Sequence, residues 1–170
     1  MSEEYEVLIR KPSQLVNTGV FLFGSVFLVI AFVAKPYLLD VFIETNLLVI
    51  GSYVHKYYFL VYLIVALWMF YEFLVVYVTS WEISEERIVH KHGILIRYND
   101  HLELFRVKDW SLTQPLIYRI FGLSNLVLHT SDASDPILPL NAIPKGNDAI
   151  EAIRERVDHM RQRKGVREID

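Results

Sequence analysis

Two long stretches without charge limit what this chain can fold into. Leu15 to Val33 is nineteen residues with no charged side chain, and Tyr57 to Val78 is twenty-two with Glu72 as the sole charged group. At about 1.5 Å of rise per residue, either one matches a hydrocarbon layer roughly 30 Å thick. Each is therefore expected to be a transmembrane helix. Tyr57, Tyr58 and Tyr62 stand near one end of the second stretch and Tyr77 and Trp81 near the other, as suits side chains at the two membrane interfaces. Gly19, Gly24 and Ser25 are small enough for a neighbouring helix to approach, although their spacing is not GxxxG.

The rest of the composition agrees with a small domain plus an anchor. The chain has 170 residues, a hydrophobic fraction of 53% and a mean hydropathy of +0.29. Most of the charge lies at or after Glu82. A formal net charge of -3 gives no general attraction to nucleic acid or acidic lipid, so an electrostatic partner has to be met by a local patch. With no cysteine, disulfides, a thiol nucleophile and Cys-ligated metal sites are excluded.

Positive charge sets the expected topology. Arg10 and Lys11 precede the first span, Arg87, Lys91 and Arg97 follow the second, and only Lys35 and Lys56 lie between. Both termini are expected to face the cytosol. Residues 1–14 read as a cytosolic tail rather than a cleaved signal peptide, since they open acidic and have no short apolar core. Residues 15–78 read as a two-span anchor, with 34–56 as its outer connector. That connector is unexpectedly apolar. Leu38, Val41, Phe42 and Leu48 form either one face of an interfacial helix, with Asp40 and Glu44 on the wet side, or part of a collapsed loop, and are a candidate contact for a membrane-protein partner or a second copy.

After Val78 the pattern shortens to strand length. Tyr77–Ser84, Arg87–Ile96, Asn99–Leu104, Val107–Thr113, Leu123–Thr130 and Ile137–Leu140 are rich in branched or aromatic residues and are separated by turn signals. Antiparallel pairing in a bent sheet or open barrel is expected. After Pro144 and Gly146, Asn147 is placed to cap a helix whose apolar face is Ile150, Ile153, Val157 and Met160. Beyond it, residues 164–170 belong to a basic, frayed tail that begins around Arg161 and Arg163.

The transmembrane pair is followed by Tyr77-Val78-Thr79, Trp81-Glu82-Ile83, Arg87-Ile88, Gly93, Leu104, Val107, Gln114-Pro115, Arg119-Ile120-Phe121-Gly122, Val127 and Thr130, and then by the amphipathic helix. This order resembles the bacterial pleckstrin-homology-like (PH-like) membrane proteins, over roughly Tyr77 to Arg163 and most specifically from Gln114 to Gly122. The resemblance implies an α+β membrane protein: a transmembrane hairpin, then a seven-stranded, partly open antiparallel barrel (79–163) capped by a C-terminal helix. It places that barrel on the cytosolic face of a bacterial inner membrane. The long apolar connector and the single domain, where some relatives carry repeats, depart from the family pattern.

Candidate site residues follow from chemistry. Glu72 lies six residues, roughly 9 Å, inside the end of its span. It is either a partner contact or proton-linked group, or an internal polar clamp with Asn17, Thr18, Arg10 or Lys11 as partners. Arg97, Arg106, Lys108, Arg119, Arg161, Arg163 and Lys164 are candidates for contact with anionic lipid or a partner, although Asp100, Glu103 and Asp109 are interleaved with them. Arg119 alternatively pairs with Asp109 or a turn carbonyl. In the same turn Gly122 is expected at positive φ and Phe121 in the core.

His90 and His92 share a strand face, and His101 and His129 are candidates to approach them, but no carboxylate stands at matching spacing, so no metal is expected. Ser111, Ser124 and Ser131 lack the surroundings of a nucleophile. No enzyme, cofactor or nucleic-acid partner is expected. The functional expectation is a membrane-anchored scaffold or adaptor for protein partners, with anionic-lipid or small-ligand binding as the alternative.

Overall fold

The computed structural model describes residues 6–45, 48–132 and 135–164, which form two compact units. One is helical and runs from Asn17 to Leu74; the other joins the described residues up to Val16 with those from Val75 onward.

In the helical unit, α1 (Thr18–Glu44) is followed by α2 (Leu48–Tyr57) and by α3 (Phe59–Val78), whose last residues belong to the other unit. A short 3-10 turn, Gln14–Asn17, precedes α1. α1 and α3 run antiparallel and touch through small or polar residues. Asn17 Nδ2 donates to the backbone carbonyl of Glu72 at 2.9 Å, Gly24 sits against Met69, and Tyr58 Oη donates to the Ala31 carbonyl at 2.9 Å. A Cβ on Gly24 would lie 2.7 Å from Met69 Sδ, so an added methyl group would require the flexible Met69 side chain to shift. The sequence favours ordinary composition over close packing for these small residues; Gly24 nonetheless lies against Met69, while a Cβ on Gly19 would meet nothing within 4 Å.

The described residues of the connector are helical on both sides of a turn at Thr45. α1 continues through Pro36 to Glu44, and α2 folds back so that Gly51 meets the Phe42 side chain. Proline removes a hydrogen bond from a helix interior, a cost that α1 carries within an otherwise apolar run. Leu38 and Val41 are exposed and Phe42 is half-buried; the side chain of Leu48 lies outside the described residues. Gln14–Glu44 and Val49–Val78 are both long and apolar enough to cross a membrane.

The second unit holds two antiparallel sheets. One has the order β1 (Leu8–Arg10), β2 (Ser80–Ile83), β3 (Arg87–His92), β4 (Tyr98–Glu103); the other is β5 (Val107–Thr113), β6 (Leu123–Thr130), β7 (Ile137–Pro144). Burial alternates along β2 and through most of β6 and β7, as a half-buried surface requires. Ile83, Ile88, Leu104, Leu126, Leu128 and Leu140 are wholly buried between the sheets. α5 (Gly146–Lys164) buries Ala149, Ile153, Val157 and Met160; of the face that the sequence predicts, Ile150 is only half-buried and Ala149 takes the innermost place in that turn. Arg161 and Arg163 fall inside this helix and not in a frayed tail.

The expected N-terminal tail is instead structural. Leu8 and Arg10 pair with Ile83 and Trp81, Ser13 N donates to the Ala142 carbonyl at 3.0 Å, and buried Arg156 donates to the Glu6 carbonyl at 2.9 Å. The strand-rich unit is therefore discontinuous in sequence, and its seventh strand comes from before the helices.

Candidate functional site

β5 and β6 are linked by an excursion, α4 (Leu116–Ile120), closed by Gly122 at φ +66°, the positive-φ turn that the sequence predicts. Pro115 and Gly122 confine the helix to little more than one turn. Gln114 ties the neck: its Nε2 donates to the Leu123 carbonyl at 3.0 Å and lies 3.2 Å from Ser124 Oγ. The tip is apolar and faces outward, with Leu116 73%, Ile117 52%, Ile120 73% and Phe121 60% exposed. Phe121 is therefore no core plug; the buried positions nearest it in sequence are Leu123 and Ser124. Arg119 on the same turn is exposed and pairs neither with Asp109 nor with any other described side chain. The result is an apolar prow on a braced neck.

A second concavity, of about 480 Å³, opens beside β3 and β4 and is lined in part by Lys11, Tyr77, Lys91, His92, Arg97 and Tyr98. Its lining carries no carboxylate. Lys91 is held by Glu82, whereas Lys11 and Arg97 make no ion pair among the described residues. Arg97 is the one member of the predicted basic set that reaches this cleft, and Lys11 and Lys91 join it.

Several of the other basic candidates are committed elsewhere. Arg106 pairs with Asp132 at 2.8 Å and Glu103 at 3.4 Å, Arg161 donates to the Val107 carbonyl at 2.7 Å, and Arg163 pairs with Glu85 at 3.0 Å. Lys108 is exposed, and the side chain of Lys164 lies outside the described residues. Glu72 accepts the Asn17 amide through its backbone carbonyl, which is not the carboxylate clamp that the sequence offers as one reading.

Along the cleft's rim the inner face of the first sheet changes character. Ile83, Ile88 and Leu102 form a core row; the next row is Trp81, His90 and Asp100, and the next pairs His92 with Tyr98. The rings stack in series: Trp81 on His90 at 5.5 Å, His90 on His92 at 4.5 Å and His92 on Tyr98 at 5.2 Å between centroids. Asp100 Oδ2 lies 3.9 Å from His90 Nδ1 and 3.5 Å from His92 Nδ1. Burial is the main cause that lowers the His90 pKa; neighbouring His92 adds to this, while Asp100 and Asp135 oppose it.

The carboxylate missing from the linear spacing is thus supplied across strands, because register pairs Asp100 with His90. His101 points away, being adjacent to Asp100 on an alternating strand, and His129 is on the other sheet.

Two sheets closed by a C-terminal helix, with an exposed excursion and a basic cleft, define a pleckstrin-type binding module. The pattern of one family, the bacterial PH domain, matches residues 20–160, and the chain belongs to that family. A search of the curated proteins finds no match. A binding or scaffolding module is what this family suggests, and its domains are not typically catalytic.

Proposed function

We propose that the chain is a membrane-anchored adaptor of the bacterial inner membrane, its two apolar helices spanning the bilayer with both termini in the cytosol, and that it docks a membrane-protein partner through the α4 prow. One observation carries this reading. Four large apolar side chains, Leu116, Ile117, Ile120 and Phe121, stand in solvent on a turn whose neck is braced by Gln114. Exposed apolar surface costs solubility, and clusters of it mark interaction sites. The exposed connector residues Leu38 and Val41 offer a further contact, to a partner or a second copy within the membrane.

The test is co-purification of the intact complex from membranes in mild detergent. The double variant Leu116→Ser/Phe121→Ser is expected to reach the membrane in normal amount and to lose its partner. Retention of the same partner by that variant would refute the prow as the docking surface.

The basic cleft favours a second reading, an anionic headgroup or small anion bound by Lys11 and Arg97. A basic group near an anionic surface contributes about 1 kcal/mol. Because β1 and Lys11 precede the helices, the test needs the full chain, reconstituted in nanodiscs with and without anionic lipid. Sensitivity of Lys11→Gln/Arg97→Gln to lipid charge and salt supports this reading, and indifference to both removes it.

A further inference from the structure

We propose that His90, His92 and Asp100 bind a divalent transition-metal ion of the zinc class at the edge of the basic cleft. Each residue offers one donor atom, and the three donor atoms lie within 4.8 Å of one another. Zinc–nitrogen and zinc–oxygen bonds of about 2.0–2.2 Å place tetrahedral ligands roughly 3.3 Å apart. Closing the set around an ion draws the donors together and turns the two stacked imidazoles toward a common point.

The donors are held in place by the fold. Antiparallel register puts Asp100 directly opposite His90, and His92 follows two residues along the same strand face. Trp81 stacks on the outer side of His90 and Tyr98 on that of His92, which restricts both imidazole planes. This is the support that a metal site needs around its ligands.

The site also has an unmet requirement. His92 Nδ1 is shielded from solvent and makes no hydrogen bond among the described residues; the carboxylate at 3.5 Å is within ion-pair range but lacks hydrogen-bond geometry. A buried polar atom left in that state is costly, and coordination would satisfy it. Two imidazoles and one carboxylate suit zinc, nickel or cobalt better than magnesium or calcium, which prefer oxygen. Three protein ligands leave a fourth place for water or an anion, and His92 itself lines the cleft that holds Lys11 and Arg97.

The experiment uses the full chain in detergent without a polyhistidine tag, stripped with chelator. Cobalt(II) is titrated while its visible absorption is followed, and zinc is then used to displace it. One ion per chain is expected. His92→Gln and Asp100→Asn should each weaken binding at least about tenfold. His101→Gln, on the opposite strand face, should leave binding unchanged.

Imidazole nitrogen resonances of His90 and His92 shifting on zinc addition to the unaltered chain would support the site independently of any variant's folding. Absence of saturable binding, equal binding in the variants, or an equal loss in His101→Gln would overturn the proposal.

Discussion

Leu8 pairs with Ile83 across antiparallel strands, although the whole helical unit lies between them in the chain. The strand-rich unit thus depends on a segment that enters from the far side of the helices. Buried Arg156 reinforces it by donating from α5 to the Glu6 carbonyl. Hydrogen bonds to charged groups contribute about 1.5–3 kcal/mol, so Arg156→Met should destabilise the unit by about 2 kcal/mol. Hydrogen exchange is the check: amides of β2 should lose protection along with those of β1. Unchanged protection in β2 would mean that the N-terminal strand is dispensable.

In the helical unit, Asn17 contacts the backbone of Glu72 and not its carboxylate. Asn17→Ala should therefore cost about 0.5–1.5 kcal/mol of hairpin stability, as loss of one hydrogen bond does, while Glu72→Gln leaves that bond in place. Thermal unfolding of the two variants in detergent separates these outcomes. A larger loss in Glu72→Gln than in Asn17→Ala would point to the carboxylate as the stabilising group.

Gly24 makes a graded prediction. Met69 is flexible enough to yield to one added methyl group, so Gly24→Ala should be tolerated, whereas Gly24→Leu must separate the helices. Size-exclusion chromatography in detergent should show a folded, monodisperse Gly24→Ala and a dispersed or aggregated Gly24→Leu. Equal behaviour of the two would show that the helices are not in close contact there.

The lowered pKa of His90 gives stability a pH dependence. Below its ordinary value of 6.5 the unfolded chain binds a proton that the folded chain resists, so acidification favours unfolding until pH passes the folded value. Above 6.5 this contribution is fully present and flat. In chelator, the melting temperature should fall between pH 7.5 and pH 5.5, and His90→Gln should fall less. Identical slopes would exclude His90 as the cause.

Some of this architecture was legible from residue order because its signals are local. The uncharged runs, the six strand-like segments after Val78 and the Ile153–Val157–Met160 face each repeat at the period of one element. β1 was not legible: Leu8–Arg10 is too short to show alternation, and its partner lies beyond the helices. The same limit hid Asp100, which meets His90 only through strand register. Phe121 misled for a different reason, since an aromatic residue in a short turn reads as core unless the neck that holds the turn outward is known. The apolar connector read as a loop or interfacial helix because its periodic stretch is too short to decide between them, whereas α1 runs on through Pro36 to Glu44.

The prow should contribute little to folding, because its apolar side chains are exposed. Leu116→Ser/Phe121→Ser should keep the melting temperature of the parent chain, as surface changes usually stay within about 0.5 kcal/mol. A large loss of stability would assign these residues to internal packing.

The most direct test of the adaptor account is photocrosslinking in living cells from a reactive amino acid placed at Ile120, with Lys108 as an exposed control on β5. The account predicts a discrete adduct with one membrane protein from position 120 and none from 108. A folded, membrane-located chain that yields no adduct from position 120, or the same adducts from both positions, would contradict it.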